Sequence, residues 1–221
     1  MVYYFAMTPA DSDRPASPGR PKDMAKRAAI LAAAQDMFTA QGFAGASMDQ
    51  IAAAAGVSKL TVYSHFGDKD TLFLEAVRAV CEAQMPPALF IGECTGPLRV
   101  QLTGIASAFF KLITSDQALS MHRMMLTRAS DRHVRELFWT AGPARVQAAF
   151  AQFLQARVER GELRVPDIDR AAAQFFSLLK GELHTRMASG LCVDPPQADI
   201  DAHIAATVDL FLRAHAPPDT A

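Results

Sequence analysis

Between Ser47 and Asp68 the chain has room for two short helices and one tight turn. Ser47 with Gln50 three positions on forms a capping box, and a one-turn repeat of Met48, Ile51, Ala52 and Ala55 follows before Gly56 stops it. Only two residues later Ser58 caps a second helix that carries Val62 and Phe66 inward. Two short helices joined by a glycine-containing turn are a helix-turn-helix, and the second of them fits a DNA major groove. That second helix interleaves its apolar positions with Lys59, Thr61, Tyr63, Ser64 and His65. These side chains hold donors suited to phosphate oxygens and base edges, which packing alone does not require.

The rest of the chain reads as helix. Residues 1–19, with Pro9, Pro15, Pro18 and Gly19, form a flexible arm. A helix spans 22–40, where Ile30, Leu31, Ala34, Met37 and Phe38 recur at helical spacing and Gly42 stands where a glycine ends a helix. Asp68 caps a longer helix to about Gln84, beyond which Pro86 and Pro87 forbid continuation. After Pro97 the spacing predicts helices over 97–114, 117–129, 132–140, 143–160, 168–189 and 197–214, with no strand-like alternation. The fold class is all-α: a three-helix DNA-binding domain over 20–67, its helix-turn-helix at about 46–66, and a second helical domain over 68–221.

Charge is divided along the chain in a way the total of -1 hides. Residues 14–69 carry a balance of +3 and residues 70–221 one of -2, so a polyanion meets the N-terminal third. Cys81, Cys94 and Cys192 lie far apart, which suits a reducing cytoplasm and suggests neither a disulfide framework nor a zinc ribbon. Cys94, in a "GECTG" loop, is a redox sensor only if its thiolate is stabilised. The opening "MVYYFAM" lacks a basic flank and is not read as a signal peptide, and no run reaches the ~20 apolar residues of a membrane span. The six histidines include no pair at i, i+4, so no metal site and no cofactor are expected. "SLLK" at 177–180 fits the S-x-x-K of penicillin-recognising enzymes, but no K-T-G or S-D-N accompanies it and core helix is the reading.

The stretch "SMDQIAAAAGVSKLTVYSHFGDKDTLF", residues 47–73, resembles the DNA-binding signature of the TetR (tetracycline-repressor) family of bacterial regulators. Downstream, "AGPARVQAAFAQFLQARVERGELRVPDIDRAAAQFFSLLKGEL" is similar to the C-terminal domain of the family's AefR-like branch. The resemblance implies a repressor of about nine helices that binds a palindromic operator as a homodimer and is released by a small-molecule effector. The last two helices would form the dimer contact and the middle ones would enclose the effector. Leu60, where a smaller residue is common, and Arg128, where an acid is usual, depart from the pattern, so operator and ligand do not transfer.

Candidate DNA contacts follow. Lys59 suits guanine or phosphate, Thr61 either, Leu60 a thymine methyl, and Tyr63 and His65 phosphate oxygens. Ser47 and Lys69 stand at helix starts, where free amides favour phosphate, and Arg20 and Lys22 on the arm reach a minor groove. For the effector, Met121, Met124 and Met125 with Phe109, Phe110, Phe176 and Trp139 are candidate wall residues, with core packing as the alternative. Arg123, beside Met124 and two residues from Met121 and Met125, is placed on the pocket side, partnered by Glu182 or by the anionic head of an amphiphilic or aromatic ligand. Phe175, Leu179, Leu183, Ile200, Ile204, Val208 and Phe211 recur at helical spacing in the last two helices and are the expected dimer contact. The competing classes are a small all-α enzyme or metal carrier with a vestigial helix-turn-helix, and an architectural DNA binder without an effector.

Overall fold

The computed structural model describes residues 23–90, 96–127 and 131–217, and the expected arm over 1–19 lies outside them. Ten α-helices and one 3-10 turn account for the described residues, among which there is no strand. In chain order they are α1 (Met24–Gly45), α2 (Met48–Ala54), α3 (Lys59–Phe66), α4 (Lys69–Gln84), α5 (Leu98–Thr114), α6 (Asp116–Thr127), α7 (Arg132–Ala141), α8 (Pro143–Glu159), α9 (Ile168–Ala188) and α10 (Gln197–Ala214), with the 3-10 turn at Pro87–Leu89. Among the described residues no helix is long and apolar enough to cross a membrane. The starts are chemically marked: Asp23, Ser47, Ser58, Asp68, Asp131 and Asp167 each accept a backbone N–H of the first turn.

Two apolar cores form. The N-terminal one joins Ile30, Leu31, Ala34 and Phe38 of α1, Ile51 and Ala52 of α2, Val62 and Phe66 of α3, and Leu72, Phe73, Ala76 and Val77 of α4. Met121 of α6 and Val134 and Ala141 of α7 close it from the other side. The second core draws on α5, α8, α9 and α10 around Phe150, whose ring lies 4.7 Å from Phe175 and 5.1 Å from Phe176. The N-terminal packing therefore does not stop at residue 67, and α4 is shared, since Val80 and Cys81 pack against the second core.

The spacing predicts a helix over 168–189, and α9 fills that span with a break at Gly181 (φ 44, ψ -157). Glycine adopts this backbone without a Cβ penalty. His203 of α10 makes the break a packing feature: its Nε2 lies 2.8 Å from the Leu179 carbonyl, and a Cβ at 181 would stand 3.0 Å from its Cε1.

The expected dimer contact needs correction here. Phe175, Leu179, Ile204, Val208 and Phe211 are buried within one protomer, and Leu183 and Ile200 pack partly buried against the same core. An amphipathic helix serves its own core with its most apolar stripe, and Phe175, Leu179, Ile204, Val208 and Phe211 are that stripe, while Leu183 and Ile200 keep part of their surface. Phe211, 5.0 Å ring to ring from Phe175 and 4.5 Å from His215, has no surface left for a second chain. Phe211→Ala is expected to destabilise the protomer by about 3–5 kcal/mol, read as a lowered urea midpoint with unchanged slope.

Candidate functional site

The helix-turn-helix is built from its caps. Ser47 Oγ accepts from Gln50 N at 3.2 Å while Gln50 Oε1 accepts from Ser47 N at 3.0 Å, which fixes the start of α2. Ser58 Oγ accepts from Thr61 N at 3.2 Å at the start of α3. Val62 and Phe66 are buried and pin α3 to the scaffold, with Arg27 of α1 stacked 5.3 Å from the Phe66 ring and paired at 2.7 Å with Glu75 of α4.

On the outer face Leu60 is 79% exposed, and Lys59 and Tyr63 stand exposed beside it. Lys59 Nζ lies 2.9 Å from Asp49 of α2, whose carboxylate raises the lysine above its ordinary range. An ion pair this exposed is worth little and yields readily to a phosphate. Thr61 Oγ1 lies 2.8 Å from Ser58 Oγ, so its hydroxyl is engaged in the cap. Lys69 stands at the start of α4 with its Nζ 4.5 Å from the Phe43 ring, and desolvation lowers its pKa. His65 lies apart from the exposed trio: it is half-buried beside Phe66, and its Nδ1 is buried with no hydrogen-bond partner. Arg20 and Lys22 fall outside the described residues.

Behind this domain lies a cavity of about 280 Å³. Its walls come from α1 (Gln35, Phe38, Thr39), α4 (Phe73, Val77, Cys81), α5 (Phe109, Ile113), α6 (Gln117, Met121, His122), α7 (Phe138, Trp139), α8 (Val146, Gln147) and α9 (Phe176, Lys180, His184). Of the expected wall residues, Phe109, Met121, Trp139 and Phe176 line it. Phe110 does not: it is buried in the second core with its ring 5.6 Å from His203. Met125 packs against the N-terminal core, and the Met124 side chain and Arg128 lie outside what is described.

Arg123 is exposed and does not line the cavity. At ~100° per residue, two positions from Met121 is ~200°, the far side of the helix. Its neighbour His122 takes the place expected of it. Glu182 is also exposed, 3.8 Å from Arg186.

The polar groups of the cavity are those the sequence reading left unassigned. The His122 and His184 rings meet edge to face with centroids 5.4 Å apart. Burial pushes the His184 imidazole down to about 4, and the nearby His122 and Lys180 add to the shift. Burial also lowers His122, with Lys180 contributing, and lowers Lys180 itself, although much of that side chain's surface remains exposed. Cys81 is pushed up to about 11 by burial and is a poor nucleophile. No group of three metal-ligating side chains occurs among the described residues. Lys180 and His184 stand on either side of the break at Gly181, so helical spacing in the sequence does not bring them together.

A capped scaffold helix, a glycine turn and an exposed recognition helix with a Leu, Lys and Tyr face define a helix-turn-helix DNA-binding protein. Residues 30–76 match the tetR family of bacterial regulatory proteins, and residues 100–217 match the AefR-like transcriptional repressor C-terminal domain. The chain belongs to the TetR family and is a DNA-binding transcriptional regulator. The flavonoid-responsive regulator FrrA is 32% identical, with a TM-score of 0.71 over 88% of this chain and 99% of that one. A TetR-family structure from Mesorhizobium loti is 27% identical, with a TM-score of 0.70 over 89% of this chain and 99% of that one. The uncharacterised HTH-type transcriptional regulator YdeS of Bacillus subtilis is 27% identical over 148 residues, which is 66% of this chain and 71% of that protein.

The depressed His184 has a consequence for stability. Its folded pKa of about 4 lies below the ordinary 6.5, so the unfolded chain takes up the proton first as pH falls. The stability present above pH 6.5 is lost between there and about pH 4, by up to about 3 kcal/mol. Thermal midpoints should fall through this window in the wild-type protein and fall less in His184→Gln.

Proposed function

We propose that this regulator is a homodimeric repressor, bound to a palindromic operator and released when a small apolar molecule fills the cavity. The observation that carries the reading is that one cavity is walled by α1 and α4 of the DNA-binding half together with α5 to α9. Gln35 of α1 both lines it and donates from Nε2 to the Ala76 carbonyl of α4 at 3.1 Å. Thr39 Oγ1, also on α1, is buried in the wall with no hydrogen-bond partner, and a ligand's polar atom would satisfy it. The likeness to FrrA, a flavonoid-responsive regulator by name, supports a ligand-responsive reading. A bound molecule sets the spacing of the two recognition helices, which must lie about one DNA turn, ~34–36 Å, apart to engage both half-sites.

The readout is assigned to Lys59, Leu60, Thr61 and Tyr63, with Ser47 and Lys69 holding phosphate. A mobility-shift assay with the DNA upstream of the gene tests it. Tyr63→Phe and Lys69→Ala are expected to weaken binding to every sequence alike, with the salt slope falling by about one in Lys69→Ala, whereas Leu60→Ala changes the preferred base at one position per half-site. Unchanged base preference in Leu60→Ala removes Leu60 from the readout.

The dimer contact is assigned to what the protomer leaves exposed on its last two helices. Ala202, Ala206 and Leu210 form an i, i+4, i+8 stripe on α10, and Leu178 stands exposed on α9. Leu210→Asp places a charge in that stripe without touching the protomer core, so light scattering is expected to show a folded monomer. A dimer of unchanged stability moves the contact elsewhere.

A further inference from the structure

The cavity is unevenly furnished. Six aromatic rings line it (Phe38, Phe73, Phe109, Phe138, Trp139 and Phe176), and it has no aspartate or glutamate in its wall. Its ionisable groups are Lys180 and His184 of α9, His122 of α6 and Cys81 of α4. The first three converge: the two imidazoles lie 5.4 Å apart, and Lys180 is near enough that its charge opposes protonation of both.

Three basic side chains in one wall with no carboxylate to face them repel one another once charged. Near neutral pH burial holds both imidazoles uncharged, so Lys180, with much of its surface exposed, is the positive charge of this wall, and no carboxylate lines the cavity opposite it. Here the nearest acid on α9, Glu182, is exposed and turned to Arg186. We propose that Lys180 and His122 receive the anionic head of the effector, with His184 holding the His122 ring, and that the effector is an aromatic acid whose ring system lies among Phe73, Phe109 and Phe176. The assignment rests on the reading of the cavity as the effector site and adds the ligand's chemical class.

The chemistry of the trio fits a monoanion. Lys180 supplies the charge and His122 one N–H, while the His184 ring donates to the Ile113 backbone carbonyl and packs its edge against His122, so a carboxylate's two oxygens meet two donors. The amides of Gln117 and Gln147 line the same cavity and extend the polar end. An acid differs from its uncharged amide by the charge-assisted bond, while both place the same rings in the same apolar space.

Calorimetric titration of the full chain with 2-naphthoate and with 2-naphthamide tests the proposal, the two probes sharing a ring system suited to a cavity of this size. The wild-type protein is expected to bind the acid at least about tenfold more tightly than the amide at neutral pH. Lys180→Met, at a position with much of its surface exposed, is expected to erase that preference while holding the amide within about twofold, and Lys180→Arg to keep it. Equal affinity for acid and amide in the wild-type protein overturns the proposal, as does binding of neither probe or a preference that survives Lys180→Met; the wild-type ratio needs no variant to fold. Calorimetry reads binding without DNA, so the two readings separate. An acid preference with no release of operator retains this assignment and defeats the repressor mechanism, whereas release by acid and amide alike retains the mechanism and defeats this assignment.

Discussion

The contact on which the rest of the molecule depends is the edge-to-face meeting of Phe38 on α1 with Phe73 on α4, 5.1 Å between ring centres. Phe43 completes the group at 5.3 Å from Phe73 and 6.0 Å from Phe38. Both Phe38 and Phe73 are almost wholly buried, and both also form part of the cavity wall. One side of this ring cluster therefore sets how α1 and α4 cross, and through them where α3 is held. The other side faces the space a ligand would fill. Aromatic pairs of this kind add to their area of burial through a defined geometry, so a displaced ring displaces a helix.

The helix-turn-helix was legible in the sequence because everything that makes it is local. Ser47, Gln50, Gly56 and Ser58 act within three or four residues of themselves, and those cap bonds are present in the structure. The cavity wall was not legible, because seven helices contribute to it and none carries a signature of doing so. In the sequence His122 and His184 are two of six scattered histidines, and Lys180 stands in "SLLK", a stretch with the pattern of core helix. Arg123 shows a simpler limit: adjacency in sequence is not adjacency in space, and two residues along a helix is the opposite face. The last two helices taught a related lesson, since periodicity locates an apolar stripe without saying whether it faces its own chain or another.

The recognition helix carries its positive charge already spoken for. Lys59 is held by Asp49, and Asp49 sits in the first turn of α2, where a carboxylate is favoured by the helix dipole. A DNA phosphate arriving at that turn competes with Asp49 for the same lysine and the same amides. The pair thus holds Lys59 in a defined place in the free protein, at a cost in affinity limited by how exposed it is. Leu60 has no such tether and stands exposed beside the pair.

The arithmetic of release decides which wall of the cavity matters. A ligand shifts a two-state equilibrium only by its difference in affinity for the two states, and each tenfold shift takes about 1.4 kcal/mol of that difference. In the proposed release, contacts with α5, α8 and α9 alone, elements packed into one core around Phe150, would supply affinity that is alike in both conformers. The difference has to come from residues whose position changes with the DNA-binding half: Phe38, Thr39 and Gln35 on α1 and Phe73 and Val77 on α4. Lys180 on α9 would anchor one end of a ligand, whereas α1, α4 and the Met121 side of α6 pack in the core of the DNA-binding half and form the part of the wall that would yield. On this reading affinity and response belong to different helices, so the residues that choose the molecule are separable from those that report its arrival.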